Sequence, residues 1–165
     1  MLHLMTAPQK VLILCTGNSC RSIMAEGALN HLGQGRFIAF SAGSKPASYV
    51  HPKSLALLQA KGIPTTGYRS KSWDEFTNTP IDIVITVCDS AAGESCPVFF
   101  GAPVKAHWGV PDPAHAQGTD AEIMAVFEKS YALLEARIRA LVALPQNLDK
   151  PELSKRLKEI GETII

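Results

Sequence analysis

Short, uniformly apolar runs alternate along this chain with longer stretches whose apolar positions recur every three or four residues. Residues 10–14 (KVLIL) are rich in β-formers and predict a strand buried on both faces. Residues 81–87 (IDIVITV) predict another. Shorter strand candidates lie at 36–40 and 104–108. From Arg21 the period becomes helical, with Ile23, Met24, Gly27, Ala28 and Leu32 on one face and Gly33 as a stop. Pro52–Ala60 predicts a second helix, closed by Gly62 and Pro64. Residues 121–144 carry a long amphipathic pattern, with Ile123, Val126, Phe127, Leu134, Ile138 and Leu141 as core candidates. A last helix begins near Asp149 and Pro151 and places Leu153, Leu157 and Ile160 on one side before Gly161.

Strands alternating with helices predict an α/β domain with a parallel sheet. The chain divides into an N-terminal extension (1–9), a domain (10–144) and a C-terminal helical tail (145–165) expected to pack back on that domain. In a parallel sheet, ligands bind beyond the carboxyl ends of the strands. Cys15 follows the first strand, Cys88 the 81–87 strand, and Asp112 lies just past the fourth, so all three are expected at one edge.

Composition narrows the function. At 165 residues, 46% hydrophobic and 19% charged, the chain suits one packed domain. A net charge of +1 advertises neither nucleic acid nor a membrane surface as partner. Residues 1–9 lack the apolar stretch of a signal peptide, and no run is long enough to span a bilayer, so a cytoplasmic location is expected. In a reducing compartment the four cysteines, Cys15, Cys20, Cys88 and Cys96, are fillers, metal ligands or redox groups rather than permanent bridges. A zinc site is disfavoured, because the cysteines do not form close-spaced ligand pairs.

The segment Cys15-Thr16-Gly17-Asn18-Ser19-Cys20-Arg21-Ser22 joins the first strand to the first helix. Such a loop can turn successive backbone N–H groups inward to form an anion nest at a helix N-terminus. Gly17 permits close backbone approach, Asn18 tolerates a left-handed conformation, and Arg21 offers a planar fork to a tetrahedral oxyanion. Cys15 is the expected nucleophile, with Ser22 donating to its sulfur and a pKa lowered by the positive field. Cys20 reads as a buried filler within the loop. The lysine of a Walker loop and the spacing of a dinucleotide fingerprint are both missing.

The loop resembles that of the low-molecular-weight protein tyrosine phosphatases and of the arsenate reductases built on the same fold. The segments VLILCTGNSCRSIMAEG, FSAGS, VITVC, CP and HWGVPDPA, in this order, resemble the arsenate-reductase branch over about residues 10 to 144. The resemblance implies a three-layer α/β/α fold with a four-stranded parallel sheet. No cofactor or metal is expected for the chemistry, and the resemblance implies arsenate as substrate, with phosphate or sulfate as competing oxyanions. Asp112, between Pro111 and Pro113, forms an ordinary Asx turn on one reading; the resemblance makes it the general acid. The resemblance also assigns Cys88 and Cys96 to a relay: a Cys15–Cys88 disulfide forms as arsenite leaves, and exchange with Cys96 frees Cys15. Seven residues separate Cys88 from Cys96, one more than in the thioredoxin-coupled reductases, which leaves thioredoxin and glutaredoxin with glutathione both open as the reductant. The alternative is a phosphotyrosine or aryl phosphatase using Cys15, Arg21 and Asp112. In some relatives a potassium ion sits beside the loop on residues matching Asn18, Glu26 and Ser41. Their fourth, acidic ligand corresponds to Lys71, which on one reading puts its ammonium in the cation's place and on the other is a solvated lysine of the Ser70-Lys71-Ser72 loop.

Overall fold

The computed structural model describes residues 7–88, 99 and 101–165. Four strands, β1 (Gln9–Leu14), β2 (Phe37–Ala42), β3 (Ile83–Thr86) and β4 (Val104–His107), form one parallel sheet in the order β2-β1-β3-β4. The helices are α1 (Arg21–Leu32), α2 (Pro52–Ala60), α3 (Asp120–Val142) and α4 (Lys150–Thr163). Two 3-10 turns, Trp73–Phe76 and Pro113–His115, complete the described elements.

β1 lies inside the sheet and shows why its sequence is apolar throughout. Val11 and Ile13 enter the core under the four helices, while Leu12 and Leu14 enter a second cluster with Phe76, Ile81, Val84 and Phe99 on the other face. Each such side chain, withdrawn from water, contributes about 1.5–3 kcal/mol. The result is the expected three-layer α/β/α arrangement. Among the described residues, its thinner layer is the Trp73–Phe76 turn and Phe99.

The chain leaves β1 for β2 on one side, then crosses to β3 on the other. This reversal opens a crevice past the carboxyl ends of β1 and β3. Leu14 and Thr86 are paired at those ends, and Val87 N–H donates to Leu14 O at 2.9 Å. Cys15 and Cys88 therefore leave adjacent strands at nearly the same height. The sheet edge then extends beyond β4, where Trp108 N–H donates to Thr86 O (2.7 Å) and Val110 N–H to Val87 O (3.0 Å). These bonds carry the chain to Asp112 at the same crevice.

Two helix expectations need correction. Val126 is 39% exposed, and the buried stripe of α3 instead runs through Phe127, Ser130, Tyr131, Leu134, Arg137, Ile138 and Leu141. Two of those positions are polar, so an apolar pattern could not reveal them. Gly161 does not stop α4, which continues to Thr163. It is a contact glycine: a Cβ there would lie 2.8 Å from Trp108 Cδ1 and 2.9 Å from His107 O. α4 thus lies directly on the end of β4, with Leu153, Leu157 and Ile160 buried and Trp108 Nε1 donating to Leu157 O at 2.9 Å.

The sign of one substitution separates the two readings of this glycine. In an exposed helix, Gly→Ala stabilises by about 1 kcal/mol. Here Gly161→Ala should destabilise by about 1–3 kcal/mol through overpacking against Trp108. Urea unfolding at equilibrium measures it, and a stabilised variant would contradict the contact.

Candidate active site

The loop from Cys15 to Arg21 is shaped by what holds its carbonyls. Thr16 O accepts from Lys45 N–H at 3.0 Å. Gly17 O accepts from Ala47 N–H and from Ser70 Oγ, both at 2.9 Å. Ser19 O accepts from His51 N–H and from Ser54 Oγ, both at 3.1 Å. With its carbonyls drawn outward, the loop turns N–H groups inward, and that of Asn18 hydrogen-bonds Cys15. α1 adds its own N-terminus, where Cys20 makes no side-chain cap and the first turn holds no acid. The other three described helices are capped by His51, Thr119 and Asp149. The exposed donors and dipole of α1 suit an oxyanion.

Asn18 is the keystone of this loop. It is fully buried with φ 48°, in the left-handed region that Asn tolerates better than most residues. Its Nδ2 donates to Ser22 Oγ (2.8 Å) and Ser41 Oγ (3.0 Å), and its Oδ1 accepts from Lys71 N–H (3.0 Å). With Ser22 Oγ accepting from Asn18, its proton is left to donate to Cys15 Sγ at 3.4 Å. Behind Asn18, Ser41 Oγ donates to Glu26 Oε1, and Lys71 Nζ lies 3.9 Å from the same oxygen while donating to Arg69 O at 3.0 Å. Burial raises the Glu26 pKa and lowers that of Lys71.

Arg21 arrives from the first residue of α1. Its Nη1 donates to Val110 O at 3.0 Å and its Nη2 pairs with Asp112 Oδ2 at 3.3 Å. The fork expected to hold an oxyanion is thus partly engaged by the Val110–Asp112 segment. Its buried Nε has no hydrogen-bond partner among the described residues, and Nη1 and Nη2 each keep a second N–H, so the guanidinium retains donors for a ligand. Asp112 forms the Asx turn and stands at the cup beside Arg21. Oδ1 accepts from Ala114 N–H (2.9 Å), closing an Asx turn, while Oδ2 faces Arg21, with His115 Nε2 at 3.5 Å.

Cys88 is buried beside this cup, with its sulfur 3.5 Å from Thr16 Oγ1 and in hydrogen-bonding contact with Cys15. The expectation of a depressed Cys15 pKa is not met. The neighbouring Cys88 thiol, then burial, push it well above the free-thiol value, against the lowering pull of Ser22, Arg21 and the Asn18 backbone. Cys20 is buried, and burial raises its pKa despite donors at Ser19 and Ser54. It stands behind the loop, where Ser19 Oγ lies 3.6 Å from its sulfur. Cys96 lies outside the described residues. Among those residues, no group of three or more His, Cys, Asp or Glu could hold a metal ion, and no helix is long and apolar enough to cross a membrane.

Several residues that build the cup were given no role from the sequence. A Cβ on Gly43 would lie 2.3 Å from Thr16 O and 2.8 Å from Cys15 O, so only glycine lets β2 end against the loop. A glycine directly after a strand was the available signal. Ser54 and Ser70 act across 35 and 53 residues, and nothing local marks them.

Comparison with known proteins agrees with this geometry. The model of the low molecular weight phosphotyrosine protein phosphatase family matches residues 10–155. The chain belongs to that family. An arsenate reductase of Halalkalibacterium halodurans is 36% identical over 154 residues, covering 93% of this chain and 95% of that protein. A glutaredoxin arsenate reductase of Synechocystis is 30% identical over 135 residues, covering 82% and 97%. A solved arsenate reductase in its phosphate binding state superposes with a TM-score of 0.68 at 31% identity, over 82% of this chain and 97% of its own.

The Cys15–Cys88 contact has a titration consequence. Cys88→Ala removes the largest influence that raises the Cys15 pKa. Alkylation of Cys15, followed by mass spectrometry across pH, should shift to lower pH in that variant. An unchanged profile would contradict the coupling.

Proposed function

We propose that this chain reduces arsenate to arsenite in the cytoplasm, for arsenic detoxification. The observation that carries the reading is a second buried thiol at the oxyanion cup: Cys88 leaves the strand beside that of Cys15 at the same height, and its sulfur lies 3.5 Å from Thr16 Oγ1 of the loop. Hydrolysis of a phosphoester has no use for a second thiol there, whereas a two-electron reduction needs one. The relatives named arsenate reductases support the same reading.

Arsenate binds the inward N–H groups of residues 16–22 and the Arg21 guanidinium. The Cys15 thiolate attacks arsenic, and an arsenate oxygen leaves as water with a proton from Asp112. The Cys88 thiolate then attacks the Cys15 sulfur. The S–As bond breaks, its electron pair stays on arsenic, and As(V) leaves as As(III) in arsenite. The two thiols are thereby oxidised to a Cys15–Cys88 disulfide. Cys96 attacks Cys88 and expels Cys15 as thiolate. A dithiol reductant, thioredoxin or glutaredoxin with glutathione, reopens Cys88–Cys96. Phosphate and sulfate compete for the cup; phosphate is the ligand named for the solved relative.

The second reading, an aryl or tyrosine phosphatase, has the family's name behind it and uses Cys15, Arg21 and Asp112 alike. Two variants separate the readings. Cys15→Ser should abolish both arsenate reduction and hydrolysis of an activated aryl phosphate. Cys88→Ser should abolish multiple-turnover reduction yet keep hydrolysis within about threefold of wild type, because only reduction needs the second sulfur. Arsenate-dependent NADPH consumption, with each reducing system coupled in turn, measures the first activity. Wild-type reduction by Cys88→Ser would remove the relay.

A further inference from the structure

Arg137 and Ser130 lie on α3, two turns apart, and both are buried. Arg137 is 3% exposed, yet its three hydrogen bonds all end on backbone carbonyls: Nε to Ile164 O (2.9 Å), Nη1 to Gly109 O (3.0 Å) and Nη2 to Gly161 O (3.4 Å). A buried guanidinium is costly unless each donor finds an acceptor and its charge finds compensation. The compensation here is the negative end of the α4 dipole, at the Gly161 and Ile164 carbonyls. α4 has no basic residue in its own last turn, so Arg137 supplies that cation from α3.

The remaining bond reaches the acid loop. Three successive carbonyls there are held by three side chains. Gly109 O accepts from Arg137, Val110 O from Arg21 (3.0 Å), and Pro111 O from Ser130 Oγ (3.2 Å). The clamp on either side of Val110 thus comes from α3, and Val110 in turn holds the arginine of the oxyanion cup. Asp112 is the next residue but one, paired with the same arginine.

We propose that Arg137 is a positioning residue for the oxyanion site. Braced on the carbonyl end of α4, it fixes Gly109, and with Ser130 it keeps Val110 and Asp112 where they orient Arg21. The C-terminal helix is then part of the working site although no residue of it reaches the cup. The inference rests on the reading that Arg21 and Asp112 serve the chemistry at Cys15, which the reductase and phosphatase assignments share.

The test is a double-mutant cycle on hydrolysis of an aryl phosphate with a poorly leaving phenol, a readout independent of whether arsenate is the substrate. Arg137→Met, assayed well below its melting temperature, should lower kcat about tenfold, the scale expected when a reacting group is displaced by a fraction of an ångström. Asp112→Asn should lower kcat by itself, and the double variant should lose clearly less than the product of the two single losses, because a displaced acid loop matters less once its acid is gone. If Arg137→Met does not fold, Arg137→Lys enters the same cycle. It keeps the charge against α4 but cannot span Gly109 and Ile164 with a planar fork. Losses that multiply, or wild-type kcat in a folded Arg137 variant, would overturn the proposal.

Discussion

The site depends on one constraint: the carbonyls of the 15–21 loop must be satisfied from outside. A backbone that kept its own carbonyls inward would repel an oxyanion. Here Lys45, Ala47, His51, Ser54 and Ser70 take Thr16, Gly17 and Ser19 outward, and Gly43 lets β2 close against them. Asn18 completes the shape from within, by a left-handed backbone and three side-chain bonds. The anion site is therefore a property of four chain segments, though its sequence signature occupies one. Such a preorganised set of donors requires no rearrangement when charge develops.

Topology supplies what the loop cannot. Because the sheet order reverses between β1 and β3, two thiols meet from strands about 70 residues apart in sequence. Their proximity is a compromise. It raises the Cys15 pKa, which opposes nucleophilicity, and it sets a second thiol beside the nucleophile, as the proposed reduction requires. Ser22, Arg21 and the Asn18 N–H work against the first effect.

Much of this was legible in the sequence because the relevant signals are local. The apolar runs of β1 and β3, the caps and the Cys-Gly-Asn-Arg-Ser register all act over a few residues. The failures share a physical cause. Gly161 reads as a stop because its contact with Trp108 is tertiary, and Val126 reads as core because periodicity cannot see that Ser130 and Arg137 take inward positions. The Cys15 pKa was misjudged because a loop's field is visible in sequence while a facing thiol 73 residues away is not. Arg137 escaped notice entirely, since bonds from a side chain to backbone carbonyls leave no trace in residue types.

The central claim is that Cys15 and Cys88 exchange electrons with a bound arsenic. The most direct measurement is a single turnover without reductant, quenched by rapid alkylation and followed by arsenite quantification and peptide mapping. Wild type should release one arsenite per chain and accumulate a Cys88–Cys96 bridge with Cys15 alkylated. Cys96→Ser should also release one arsenite and stall as Cys15–Cys88. Arsenite release with no disulfide at Cys88 in either protein would contradict the account.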